Sequence, residues 1–431
     1  MANERVLLIH PWIPARFNGA PLGLLYVASV ARSHGHEVHV LDLQQRGGNH
    51  HFLDDVRSLQ PTLIGLTSTS PSHLAALRIA KEIVAEFPDV LIAKGGVHET
   101  YCARTTVSRN RSIRWSFAGE ADQAFTSFLD VCRENERRWR EIEGLTYIDD
   151  GTIVSSPLPQ QVILDELPYP ARDLLTQSDY YDFEIFKGLR TTQCQTMRGC
   201  PFQCSFCNQR SKRPNVRSVE SVVMELEYLV QCGYQAVFFD DATFTVNKRR
   251  TSELLAAIRA AGVGMSFACQ TRADCVDPWL LEDMAASGFS FVSFGLETTD
   301  EEALKSMQKS KRAGTHAATS IAAVEACKKN GILSCLNLIT GFEGETSAKA
   351  ASTFSFAATV EPDFVSVSAL ALYPHQDPTT AEIYEGEVST EDVWKHFDEG
   401  YGAIHPYLTS DEAEQRLQAA RSILGARLDV V

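Results

Sequence analysis

Short apolar runs alternate with amphipathic stretches over the first 135 residues. The runs RVLLIHP, EVHVLDL, TLIGLTSTS, VLIAKGG and SIRWSFAG predict strands. Between them, PLGLLYVASVARSHG, HHFLDDVRSLQ, SHLAALRIAKEIVAEFP and ADQAFTSFLDVCREN carry the helical spacing, the first stopping at Gly35. The strands read as continuous apolar runs rather than strict alternation, which is the pattern of a parallel sheet covered on both faces. Ligands of such sheets bind beyond the carboxyl ends of the strands. Those ends carry HPWIPARFNGAP, TSTSPSH, GGVHET and AGEAD.

Residues 136–185 predict a linker, with a hairpin signal in YIDDGTIVSS and a proline-rich ELPYPARDLL. A second α/β series then fills residues 186–378, with strands at TTQCQTM, AVFFDDATF, MSFACQTRA, FVSFGLET, SCLNLITG and FVSVSALALYP separated by helices. About six βα units are too few for a closed eight-unit barrel and suit a partial (β/α)6 barrel, whose functional groups gather at the carboxyl strand ends. Residues 379–431 read as a polar, helical C-terminal tail. The fold class is therefore α/β: a Rossmann-like parallel sheet over residues 1–135, a linker, a partial barrel and a helical extension.

Composition narrows the function. The 431 residues are 44% apolar, without a low-complexity run or a membrane-length apolar stretch. The start, MANERVLLIHPW, lacks the basic and long apolar regions of a secretory leader, so the expected location is the cytoplasm. Eleven cysteines in a reducing compartment read as core residues, catalytic thiols or metal ligands. A net charge of −15 disfavours nucleic acid as a partner, and the short clusters KRR and SKR read as solvated turns or helix ends. No G-x-G-x-x-G or P-loop pattern is present.

The strongest chemical signal is TMRGCPFQCSFCNQR, which spaces Cys200, Cys204 and Cys207 as C-x3-C-x2-C. The same spacing fits one helical face, but Gly199 and Pro201 disfavour a helix there. A zinc site would need a fourth ligand, for which Cys194 is the upstream candidate. Three thiolates on a four-iron cluster leave one iron open to a ligand.

This motif, with Phe206 before the third cysteine, resembles the signature of radical S-adenosylmethionine enzymes. The resemblance implies a [4Fe–4S] cluster on Cys200, Cys204 and Cys207. Its open iron would bind the amino and carboxylate groups of S-adenosylmethionine. One-electron reduction, from a donor such as flavodoxin or ferredoxin, would then cleave the sulfonium to a 5′-deoxyadenosyl radical that abstracts hydrogen from a small-molecule substrate. At the following strand ends, Asp240 or Asp241 would accept from the cofactor's ammonium, Arg272 would pair with its carboxylate, and Glu297 would hold its ribose or methionine part. LITGFEGET resembles the adenine motif and contains Gly341, although Asn337 stands where the family has the first glycine. For each residue singly, a surface ion pair or strand-end cap is the alternative.

Residues 1–135 resemble the cobalamin-binding domain that precedes many such enzymes, which implies cobalamin as a further cofactor. No D-x-H-x-x-G motif is present to offer cobalt a histidine. His10, His73 and His98 stand at loop positions, and Gly95, Gly96 and Gly119 would allow backbone to approach a bulky ligand, or simply serve turns. Two reactions are then in view. One is cobalamin-dependent C-methylation in natural-product or cofactor biosynthesis. The other is a radical dehydratase or eliminase on a sugar or polyol, such as an aminoglycoside-type substrate, with a degenerate cobalamin domain. Asp241, Arg272 and Tyr373 are the candidate catalytic groups. A metal-stabilised binding protein is the non-enzymatic alternative.

Overall fold

A computed structural model describes residues 4–13, 19–46, 51–133, 136–175, 186, 188–209, 213–310, 313–371, 373, 397–398, 403–404 and 407–428. The chain forms two compact units, Met1–Gln177 with Tyr373–Ala403, and Ser178–Leu372 with Ile404–Val431.

The first unit is built on seven strands: β1 (Arg5–His10), β2 (Glu37–Asp42), β3 (Leu63–Thr67), β4 (Leu91–Gly95), β5 (Trp115–Phe117), β6 (Leu145–Asp149) and β7 (Thr152–Ser155). Their order is β2-β1-β3-β4-β5-β6-β7. The first five are parallel, whereas β6 and β7 run antiparallel at the edge. The helices are α1 (Leu22–Ser33), α2 (Phe52–Leu59), α3 (His73–Glu86), α4 (Glu99–Arg109), α5 (Asp122–Leu129) and the one-turn α6 (Glu136–Trp139). One face of the sheet packs Val6, Leu8, Leu63 and Ala93 with Ala28 and Phe128 of the helices, and the other packs Leu7, Ile9, Ile64 and Ile92 with Ile79 and Ile83. Apolar contact on both faces is what the continuous runs predicted. The hairpin expected in a linker instead pairs with β5: Thr146 faces Ser116, and Tyr147 is buried against Trp139 with rings 5.3 Å apart. Helix α4 is an element the sequence reading passed over.

The second unit is a six-stranded parallel sheet, in the order β15-β14-β13-β12-β11-β8. Its strands are β8 (Thr191–Cys194), β11 (Ala236–Phe239), β12 (Ser266–Thr271), β13 (Phe289–Glu297), β14 (Leu333–Thr340) and β15 (Phe364–Ala369); the two-residue β9 (Met197–Arg198) and β10 (Asn215–Val216) pair antiparallel in the cysteine segment. Helices α7 (Val219–Gln231), α8 (Lys248–Ala261), α9 (Pro278–Ala286), α10 (Glu301–Ser306), α11 (Ala313–Lys329) and α12 (Ser347–Val360) cover one face. Helix starts follow from local chemistry: Ser218 and Asn247 accept from Ser221 N–H and Arg250 N–H, and Gly262 closes α8 in the left-handed region at φ 63°. Val237, Phe239, Cys269, Val292, Leu336 and Val365 share one apolar core with these helices. The tail is not a separate element throughout. Its helix, α13 (Ser410–Leu424), contributes Leu417, Ala420 and Leu424 to that same core, because its apolar positions recur at helical spacing.

Candidate functional site

Along each barrel strand, alternate residues turn away from the helix-covered core and line the concave face. The register stacks these positions in layers. Phe238 lies beside Ala268, Ala268 beside Phe291, and the Phe291 and Phe364 rings are 6.1 Å apart, giving an apolar floor. The next layer toward the carboxyl ends is polar: Gln270 lies beside Ser293, Asn337 donates to Ser293 Oγ at 2.7 Å and lies beside Ser366. Asn337, the departure from the family's glycine, is thus part of this polar layer. Asp240 directly follows β11 at this level.

The cysteine segment follows β8. Its base is pinned by Asp241, whose buried carboxylate accepts from Thr196 N–H (2.8 Å), Thr196 Oγ (2.6 Å) and Met197 N–H (2.9 Å). Cys200 N–H donates to Gln209 O at 2.7 Å, which closes the loop, and Ser205 N–H donates to Met307 O at 2.8 Å. Phe206 packs on Leu304, Met307 and Phe342. Cys200 and Cys204 are buried and Cys207 is half-buried, all three as free thiols. The Cys200 sulfur lies 3.4 Å from Thr243 Oγ. Cys194 does not join them: it faces the helix-covered core and lies 3.5 Å from Glu225, itself ion-paired to Arg217. The loop therefore offers three thiols and withholds the fourth that a structural zinc would need. That donor set fits a [4Fe–4S] cluster with one open iron.

Arg272, just beyond β12, reaches back to this loop. Its Nε and Nη2 donate to both oxygens of Asp274, at 2.8 and 2.7 Å, and Nη2 also donates to Lys309 O at 2.7 Å. Its Nη1 lies 3.6 Å from the Cys204 sulfur, and its guanidinium covers the Phe202 ring at 3.9 Å. Glu297 ends β13 with φ 64° and accepts from Lys309 Nζ at 2.7 Å. A side chain at Gly295 would come within 2.5 Å of that carboxylate, so glycine there leaves room for the ion pair. Glu345 of the GFEGE segment takes Thr340 Oγ at 2.7 Å and Gly341 N–H at 2.6 Å, fixing the turn at Gly341. Burial raises the Cys204 thiol, and the nearby Lys309 and Arg272 charges oppose it. Burial, reinforced by Asp241, raises Asp240 to about 7. Tyr373 falls in the first unit, and burial raises its phenol.

In the first unit, the carboxyl ends of β3 and β4 meet in a buried polar cluster. Lys94 Nζ donates to Ser68 Oγ (2.6 Å) and to Glu99, and lies 3.1 Å from His73 Nδ1. Glu99 also accepts from Ser116 Oγ. His98 stacks on His73 with centroids 4.0 Å apart, and its Nδ1 lies 3.1 Å from Ser70 Oγ. Burial first, then the Lys94 charge, lowers His98 to about 3, and burial lowers His73 as well, so both rings are neutral. His73, His98 and Glu99 have the spacing of metal ligands, but the Lys94 ammonium supplies the positive charge among them. His10 is engaged with Asp42 at 2.9 Å. Of the three glycines, Gly96 (φ 99°) permits contact with the Ser68 backbone, Gly119 (φ 83°) lies against Pro159, and Gly95 faces Phe117 at ordinary distance. The signal that the sequence reading missed is Lys94, a charge in the middle of an apolar strand.

Comparison with known proteins agrees with this architecture. Residues 194–357 match the Radical SAM superfamily, and residues 13–129 match the B12 binding domain. An uncharacterised methyltransferase of Pyrococcus horikoshii is 30% identical over 363 residues, covering 83% of this chain and 77% of the relative. The anaerobic magnesium-protoporphyrin IX monomethyl ester cyclase of Synechocystis is 27% identical over 79% of this chain and 69% of its own length. Among solved structures, the radical S-adenosylmethionine methyltransferase TsrM from Kitasatospora setae, with cobalamin and a [4Fe–4S] cluster bound, aligns with a TM-score of 0.74 at 20% identity. That alignment covers 100% of this chain and 91% of TsrM.

Proposed function

Because the chain belongs to the radical SAM superfamily and carries a B12-binding domain, we propose that it methylates a carbon of a small-molecule substrate. Its cofactors are a [4Fe–4S] cluster, S-adenosylmethionine and cobalamin. When bound, the first two supply a hydrogen-abstracting radical and the corrinoid supplies the methyl group. The observation that carries the reading is the loop with three thiols and no fourth, in a chain that also holds a B12-binding domain.

The chain's own residues divide the remaining work. Cys200, Cys204 and Cys207 hold the cluster, with Phe206 seating the loop. Asp240 is the carboxylate for the cofactor ammonium, because Asp241 is already the acceptor of three hydrogen bonds. Asn337 and Gly341 border the adenosine end, and the polar layer of Gln270, Ser293 and Ser366 offers neutral hydrogen-bonding groups to substrate. Glu297, tied to Lys309, acts as a shaped wall, and Arg272 and Tyr373 remain candidates for contact with substrate or cofactor. In the first unit, Gly95, Gly96, Gly119 and the neutral His98 line the loops that would receive the corrin. The enzyme works in the cytoplasm with a low-potential donor of the flavodoxin or ferredoxin kind. Among the described residues no helix is long and apolar enough to cross a membrane. The relatives named above include methyltransferases and a cyclase but no sugar dehydratase, so the dehydratase alternative draws no support from them.

The test is anaerobic purification from cobalamin-fed cells, followed by incubation with S-adenosylmethionine and a low-potential reductant. Stoichiometric corrinoid, with 5′-deoxyadenosine and S-adenosylhomocysteine released, is expected. A fully loaded cluster in protein that retains no corrinoid would remove the methylation reading.

A further inference from the structure

Arg272 is held unusually firmly for a residue beside a ligand site. The carboxylate of Asp274 takes its Nε and Nη2, the Lys309 carbonyl takes Nη2 again, and the Phe202 ring lies under its plane. One nitrogen, Nη1, is left pointing at the Cys204 sulfur, 3.6 Å away. A planar guanidinium fixed at four points cannot swing to follow a mobile partner.

The ion pair is also lopsided. The Arg272 side chain is 7% exposed and that of Asp274 is 38% exposed. Water screens the carboxylate far more than the guanidinium, so the field at the sulfur stays positive although the pair is formally neutral. The other nearby cation, Lys309, is matched by Glu297, and both of those are buried.

We propose that Arg272 is a positioning residue for the cluster, clamping Cys204 and raising the potential at which the cluster accepts its electron. The inference rests on the three-cysteine cluster of the proposed function. In the step concerned, a low-potential one-electron donor is oxidised and the cluster gains that electron. No bond in the protein changes. The cluster and its thiolates become one unit more negative, so a fixed cation at one sulfur favours the reduced form. Hydrogen bonds to sulfur and partners behind the ligands are established means of setting such potentials.

The experiment is an EPR-monitored redox titration of the cluster-loaded full chain without S-adenosylmethionine, so that lost contact with the cofactor's carboxylate has no part in the result. R272Q is expected to lower the reduction equilibrium constant about tenfold, a fall of about 59 mV for one electron. R272K, which keeps the charge but not the fork, is expected to fall by less. An unchanged potential in R272Q, or equal falls in R272Q and R272K, overturns the proposal. Should R272Q fail to load iron, D274N carries the test: the guanidinium stays, its compensating carboxylate is gone, and the potential rises. A potential that stays level or drops in D274N is then the refuting result. Failure of the unmodified protein to take up a four-iron cluster would instead remove the cluster reading itself, and iron analysis separates the two.

Discussion

Replacing Asp241 separates a structural carboxylate from a catalytic one. The sequence admits either role; the geometry favours the first. Oδ1 receives two backbone N–H groups, of Thr196 and Met197, and Oδ2 receives the Thr196 hydroxyl. Asp241 is fully buried, so water cannot replace it. In D241A two backbone donors and a hydroxyl lose their acceptor. At about 1–3 kcal/mol for each buried group left unpaired, with some relaxation, the local cost is about 3–5 kcal/mol. In D241N the amide oxygen keeps both N–H donors. The Thr196 hydroxyl turns to accept from the amide, for a cost of about 1 kcal/mol. Hydrogen exchange of peptides covering β8 and the cysteine loop reads that local stability directly. D241A should exchange there faster by a factor of a hundred or more and should load iron poorly. D241N should stay close to the unmodified protein in both. Unchanged exchange and full iron in D241A would refute the scaffold role. A D241N protein that loads its cluster normally but no longer releases 5′-deoxyadenosine would return Asp241 to the chemistry.

Two further outcomes follow from particular contacts. Asp240 is raised to about 7 by burial and by Asp241, against an ordinary value of 3.8. The folded state therefore binds that proton more tightly than the unfolded chain, so Asp240's own contribution to the stability of the cluster-free protein is fully present below about pH 4 and is lost, by up to about 4 kcal/mol, as pH rises to about 7, and D240N should remove that part of the pH dependence in urea titrations at several pH values. In the first unit, a Cβ at Gly96 would lie 2.4 Å from Ser68 O at a φ of 99°, so G96A should cost about 2–4 kcal/mol by denaturant titration; a loss under about 1 kcal/mol would mean that the β3 and β4 loops yield easily.

Much of the scaffold was readable because its strands are apolar runs long enough to be buried on both faces. The cysteine loop was readable because Gly199 and Pro201 break the helical alternative that its spacing allows. Helix α4 was not, since ETYCARTTVSR is polar and rich in β-branched residues. Its buried residues are Glu99, Cys102, Ala103, Thr106 and Val107, of which only Cys102, Ala103 and Val107 are apolar, too few to show a periodicity. The hairpin β6–β7 was seen as a hairpin but given to a linker, because pairing with β5 is a long-range choice that local sequence does not encode. The same holds for α13, whose partner surface on α12 and β15 is distant in the chain.

Side-chain roles were the least readable part, and the reason is competition for partners. A sequence shows which residues stand at strand ends but not which of them already have one. In the barrel, Asp241 has Thr196 and Met197, Arg272 has Asp274, Glu297 has Lys309, and Glu345 has Thr340 and Gly341. Each is a charge that builds the rim. Asp240 differs: among the described residues its carboxylate has no hydrogen-bond or ion-pair partner, and burial disfavours its ionised form. A half-buried acid without a partner is costly when charged, and a ligand's ammonium group would remove that cost. Identical strand-end positions thus separate into walls and a receptor only once the network is traced atom by atom.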